Sequence, residues 1–198
     1  HTMHTNQNNS EESVMRIKRR IAVCLCFFVL CAGTVNLSGC TAGIRAADLT
    51  EGIKAKPVSG RAADDAFKNS SADFAIRLFQ KTRDDSKNSL ISPLSVMLAL
   101  SMTANGAKGE TLTQTESLLG GDIPMETLNE YLYSYIKALP SEKTAKLNIA
   151  NSIWVRDNGF TAEKAFLQKN ADYFDAAVYK SVFDVKTLRY INNWVKKN

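Results

Sequence analysis

Nine residues, Leu94-Ser95-Val96-Met97-Leu98-Ala99-Leu100-Ser101-Met102, constrain this chain more than any other stretch. They follow Ser92-Pro93, a capping hydroxyl and then a proline at the first helical position, where its missing N–H costs nothing. The helix predicted here is apolar nearly all round. An amphipathic helix needs one apolar neighbour, but this one calls for cover on every side and so for a large protein around it. Asn105-Gly106 stops it.

The segments on either side read as ordinary amphipathic elements. Upstream, Phe74, Ala75, Leu78 and Phe79 form a one-faced stripe behind Ser70-Ser71, a candidate N-cap, and a polar run from Lys81 to Asn88 closes that helix. Downstream, Gly109-Glu110-Thr111 opens a helix with Leu112, Leu118 and Leu119 inward, closed by Gly120-Gly121. Pro124 opens another, carried by Leu128, Leu132, Tyr135, Ile136 and Leu139 and ended by Pro140. Leu147, Ile149, Ile153 and Val155 alternate with Asn148, Ala150, Ser152 and Arg156, the two-residue period of a strand, with Trp154 on its second face. After the turn at Asp157-Asn158-Gly159, a helix over 161–173, a strand from Ala176 to Val182 and a helix from Thr187 onward complete the pattern. The class is α+β. Two strands make no independent sheet, so the domain reads as unfinished.

Cysteine and histidine placement excludes most catalytic chemistry. Cys24, Cys26, Cys31 and Cys40 all precede the globular part, and His1 and His4 precede Met15, the expected translation start. The domain therefore carries no imidazole, which removes Ser-His-Asp and Cys-His catalysis and HExxH zinc sites. No phosphate loop or nucleotide fingerprint occurs, and no cofactor or metal is expected. Of the formal charge of +5, residues 1–40 hold 4 basic and 2 acidic side chains, leaving 21 against 18 in the rest. That small excess gives no ground for a nucleic-acid partner.

From Met15 the chain reads MRIKRR, an apolar run of 15 residues from Ile21 to Val35, and then Leu37-Ser38-Gly39-Cys40. A basic start, a short apolar core and small residues before a cysteine predict a secretory signal. A membrane-spanning helix would need about 20 apolar residues. The last four residues resemble the bacterial lipobox, which implies lipid attachment at Cys40, with residues 1–14 read as upstream sequence. Residues 41–63 mix Ala, Gly, Ser, Pro and charge without an apolar period and are expected to be a flexible tether, with the domain running over 64–198. Asp64-Asp65, Asp84-Asp85 and the Glu126/Glu130 pair are read as solvated carboxylates, and Lys137, Lys143 and Lys146 as ordinary surface. Tyr131, Tyr133 and Tyr135 split across helix faces and are read as packing.

Four segments in order carry a family resemblance: NSLISPLS (Asn88–Ser95), NGAKGET (Asn105–Thr111), LNIANSIWVRDNGF (Leu147–Phe160) and INNWVKKN (Ile191–Asn198). They resemble the N-terminal half of a serpin. The resemblance implies the serpin fold from its first through its sixth helix, with the first strands of the central sheet A. It implies a suicide inhibitor of serine, or alternatively cysteine, proteases: a bait loop near the C-terminus is cut and inserts as a new strand into the central sheet, distorting the bound protease. Ser92 and Ser95 match the family's shutter serines, under the point where the central strands part; from the residues alone they read as an N-cap and a small packing residue. Their hydroxyl partners are expected further along the chain. No bait loop, hinge or scissile bond is present, so the chain as written is expected to be inactive alone and not an enzyme. A non-inhibitory surface-binding serpin is the alternative. The implied location is extracellular, lipid-anchored at a bacterial surface, with a target protease and the membrane as partners.

Overall fold

The computed structural model describes residues 46–121, 123–140 and 147–198; the signal segment, Cys40, Lys143 and Lys146 lie outside them. In chain order the elements are β1 (Ala47–Asp48), α1 (Asp65–Thr82), α2 (Pro93–Ala104), α3 (Gly109–Gly120), α4 (Met125–Lys137), β2 (Asn151–Arg156), α5 (Lys164–Phe174), β3 (Ala176–Ser181) and α6 (Val185–Lys197). The α+β reading and the succession of helices stand.

Most boundaries sit where local chemistry puts them. Ser92, in extended conformation, caps α2, and Pro93 occupies its first turn. Gly121, at φ 65°, ends α3 in a backbone conformation that a Cβ would strain. Pro124 stands at the cap of α4. Helix α1 differs. It starts at Asp65 rather than behind Ser70-Ser71, because the Asp64 side chain accepts from the Phe67 amide at 3.0 Å. The longer helix brings Phe67 into the core, stacked on Tyr131 at 4.8 Å between ring centroids.

The core gathers Phe67 and Phe74 of α1, Met97, Leu98 and Met102 of α2, Leu119 of α3, and Leu128 and Leu132 of α4. Each fully buried leucine contributes roughly 1.5–3 kcal/mol of apolar burial. Leu118, expected inward, is exposed, while its neighbour Leu119 takes the core position. Helix α2 buries Met97, Leu98, Ser101, Met102 and Ala104. Its opposite face is open among the described residues: Ser92, Ser95, Ala99 and Thr103 form an exposed stripe, so cover on every side is not reached here.

The sheet has three strands in the order β1-β3-β2. Strands β2 and β3 run parallel, joined through α5 as a βαβ unit requires, in the register Asn151↔Ala176 through Arg156↔Ser181. Trp154 lies opposite Tyr179 and stacks on it at 4.5 Å. β2 begins at Asn151, four residues later than the alternation suggests, and Leu147 is exposed.

The largest difference concerns residues 46–63, read from the sequence as part of a tether. They are laid along the domain. Ala47 and Asp48 pair antiparallel with Lys180 and Tyr179, and the Leu49 amide donates to the Val178 carbonyl at 2.8 Å. The Lys56 amide then donates to Asp172 Oδ1 at 2.7 Å, and Gln168 Nε2 donates to the Lys54 carbonyl at 2.9 Å. At Gly60 a Cβ would lie 2.1 Å from Ser134 Oγ, so the strap runs tight against α4. Polar and backbone contacts hold this segment, and these leave no apolar period in a sequence.

Candidate functional site

Helix α2 presents its candidate residues at its two ends. At the start, the Ser92 side chain accepts from the Ser95 amide at 3.4 Å, and the two hydroxyls stand 2.9 Å apart. Both serines are exposed. The two hydroxyls are therefore brought together, and the Ser92 capping role and the small Ser95 are both present. Cys40, the third residue singled out from the sequence, lies outside the described residues.

The far end is polar and interior. Asn105, the residue after α2, accepts from Asn129 Nδ2 of α4 at 2.8 Å and donates from its Nδ2 to Asn170 Oδ1 of α5 at 3.5 Å. Asn170 Nδ2 donates back to the Phe166 carbonyl of its own helix at 3.0 Å. Asn129 and Asn170 are completely buried. Asn129 Oδ1 and the buried Ser101 Oγ, one turn before Asn105, lack a partner among the described residues. An unpartnered buried polar atom costs roughly 1–3 kcal/mol. From the sequence Asn105 reads as a helix stop, and the other two asparagines belong to no motif. A signal existed: Asn129 lies in the stripe of Met125, Leu128 and Leu132, and Asn170 in that of Leu167, Ala171 and Phe174. A polar residue at a core position of a helix is either paired or costly.

A second polar seam lies where the strap meets α1 and α4. Tyr131 OH donates to the Asp64 carboxylate. Arg61 bonds Glu130 Oε2 at 3.0 Å and sits 5.5 Å from the centre of the Tyr131 ring. The Phe67 amide first, and the Tyr131 hydroxyl second, hold the Asp64 carboxyl below its ordinary value of 3.8, while the hydrogen bond to Asp64 and burial push the Tyr131 phenol up. Asp64 is thus a structural cap as well as a solvated carboxylate. Asp184 caps α6 in the same way, its carboxyl lowered by the Thr187 amide.

One cleft of about 660 Å³ lies between the end of α2, Ile153 and Val155 of β2, and Phe160 and Phe166 around the start of α5, with walls that are mostly apolar. Among the described residues no three His, Cys, Asp or Glu side chains gather as metal ligands, and no helix is long and apolar enough to cross a membrane.

A layered helical domain on a small mixed sheet, with one nearly apolar helix whose serine-bearing start is left open, is the arrangement of the first part of a serpin fold. The family model described as Serpin (serine protease inhibitor) matches residues 69–198, and the chain belongs to the serpin family. It is similar to a thermophilic serpin, tengpin, solved in its native state: 56% identity and a TM-score of 0.73, covering 77% of this chain and 40% of that one. Against tengpin in its latent state the identity is 55% and the TM-score 0.66, over 70% of this chain and 38% of the other. Human neuroserpin is 35% identical over 136 residues, 64% of this chain and 32% of its own length. The chain spans about a third of neuroserpin and about two-fifths of tengpin.

Proposed function

We propose that this chain is the N-terminal part of an inhibitor that, in its complete form, traps serine and also cysteine proteases by inserting a cleaved loop into its central sheet. The observation that carries the reading is the likeness, at 55–56% identity, to a serpin solved in both a native and a latent state. A near relative thus holds two conformations, which insertion requires. Ser92 and Ser95 serve as the shutter. They stand on the open stripe of α2 at its N-terminal end. The domain performs no catalysis of its own; the chemistry is that of the protease it receives. Residues 15–40 act as a lipoprotein signal, Cys40 carries the lipid, and the mature protein stands at the outer surface of a bacterial cell.

The test uses the full-length protein that carries this sequence, incubated with a trypsin-like and a papain-like protease. The expected result is a covalent complex that survives denaturation, formed near one inhibitor per enzyme. Cleavage of the loop without a stable complex would favour the non-inhibitory alternative. The intact mass of the mature N-terminus checks lipidation of Cys40 separately.

A further inference from the structure

Helix α2 meets its neighbours mainly through Met97, Leu98 and Met102, contacts that are close but not directional. An apolar seam of this kind tolerates small axial and rotational shifts, and flexible methionines tolerate them best. The amides at Asn105 do not. A planar amide that accepts from one helix and donates to another is satisfied at one position and one orientation. In a low-dielectric interior, losing either bond leaves a buried donor or acceptor without water to replace it. Filling the slots at Asn129 and Asn170 with leucine would give more apolar burial and remove the unpartnered Asn129 oxygen. The three amides therefore cost the fold something that packing alone would not, and what they add is register.

The elements so joined are those that must move apart if the sheet opens. α5 connects β2 to β3 and packs on β3, while α2 carries Ser92 and Ser95 at its other end, some 18 Å away for a helix of this length. We propose that Asn105 is a positioning residue, pinning the end of α2 to α4 through Asn129 and to α5 through Asn170, and that this pin sets how readily the strands part over Ser92 and Ser95. The proposal rests on the loop-insertion reading. Asn105 acts through these helices and touches neither loop nor protease.

The experiment measures spontaneous conversion of the full-length protein to its latent form at raised temperature, together with complex formation and melting temperature. Asn105→Ala removes two hydrogen bonds and should speed conversion at least about five-fold, the equivalent of one of them alone. Met102→Ala, a buried apolar position three residues before Asn105, provides the control: at a matched loss of melting temperature it should change the conversion rate much less. Asn170→Leu severs only the α5 side while filling its volume, and it should speed conversion even where melting temperature is unchanged. If Asn105→Ala and Met102→Ala fall on one line of rate against melting temperature, or Asn170→Leu leaves the rate at that of the parent, the pin is ordinary packing and the proposal fails. A parent protein that neither converts nor forms a complex overturns the insertion reading, and the pin with it.

Discussion

The strap seam and the asparagine relay both join elements far apart in sequence, and both run through α4, yet they are built from opposite materials. Arg61, Asp64, Glu130 and Tyr131 use charge at the edge of the fold, where water competes and each exposed ion pair adds little. The half-buried Asn105 and the fully buried Asn129 and Asn170 use neutral amides, where no partner titrates and each broken bond leaves an orphan on a buried partner. A surface segment can thus be held by several exchangeable contacts, while interior register rests on a few directional ones. Glu130 and Tyr131 meet the strap and the adjacent Asn129 faces inward, so one turn of α4 serves both seams.

The strongest way to break the contrast is to loosen that turn. Leu132→Ala, at a position with no exposure, should cost about 2–5 kcal/mol in chemical unfolding of the full-length protein and raise amide exchange in both seams together. If exchange rose in one seam only, α4 would not be their common support. A smaller effect belongs to the strap alone. Gly60→Ala pushes a methyl group onto Ser134 Oγ and the Tyr133 ring and should cost about 1 kcal/mol, most of it restored by adding Ser134→Ala. Asn105 should keep its exchange protection throughout.

The smallest effect appears in acid. The Asp64 carboxyl is held below 3.8, so its contribution to stability is present above that value and is lost as pH falls through the lower folded-state value. Asp64→Asn should therefore lower stability slightly at neutral pH, converge on the parent in acid and so flatten the acid side of the stability profile. The Asn105→Ala variant should keep the parental slope, since no amide in the relay titrates.

What could be read in advance was whatever is decided within one turn of chain. Ser92-Pro93 and Gly120-Gly121 meet requirements set by neighbouring φ/ψ angles and orphan N–H groups, and the structure uses them as expected. At the start of α1 Ser70-Ser71 reads as the cap, but the structure uses Asp64. The choice fell to Phe67, whose place against Tyr131 needs the longer helix, and no local rule contains that contact. Strand β1 is two residues long and pairs with residues more than 130 positions away, so it leaves no periodic trace. Ser92 and Ser95 were legible through their motif, and their hydroxyls lie together; the relay was legible only as two asparagines in apolar stripes, without a partner to name.

The sequence by itself determined the family, the α+β class, most helix ends and the absence of imidazole chemistry from the domain, because each of these is set by residue type at short spacing. Tertiary structure alone decided that residues 46–63 dock on the domain, that Asp64 caps α1, and that Asn105, Asn129 and Asn170 meet. Those outcomes depend on which distant groups arrive within hydrogen-bond reach, and only the packed core settles that.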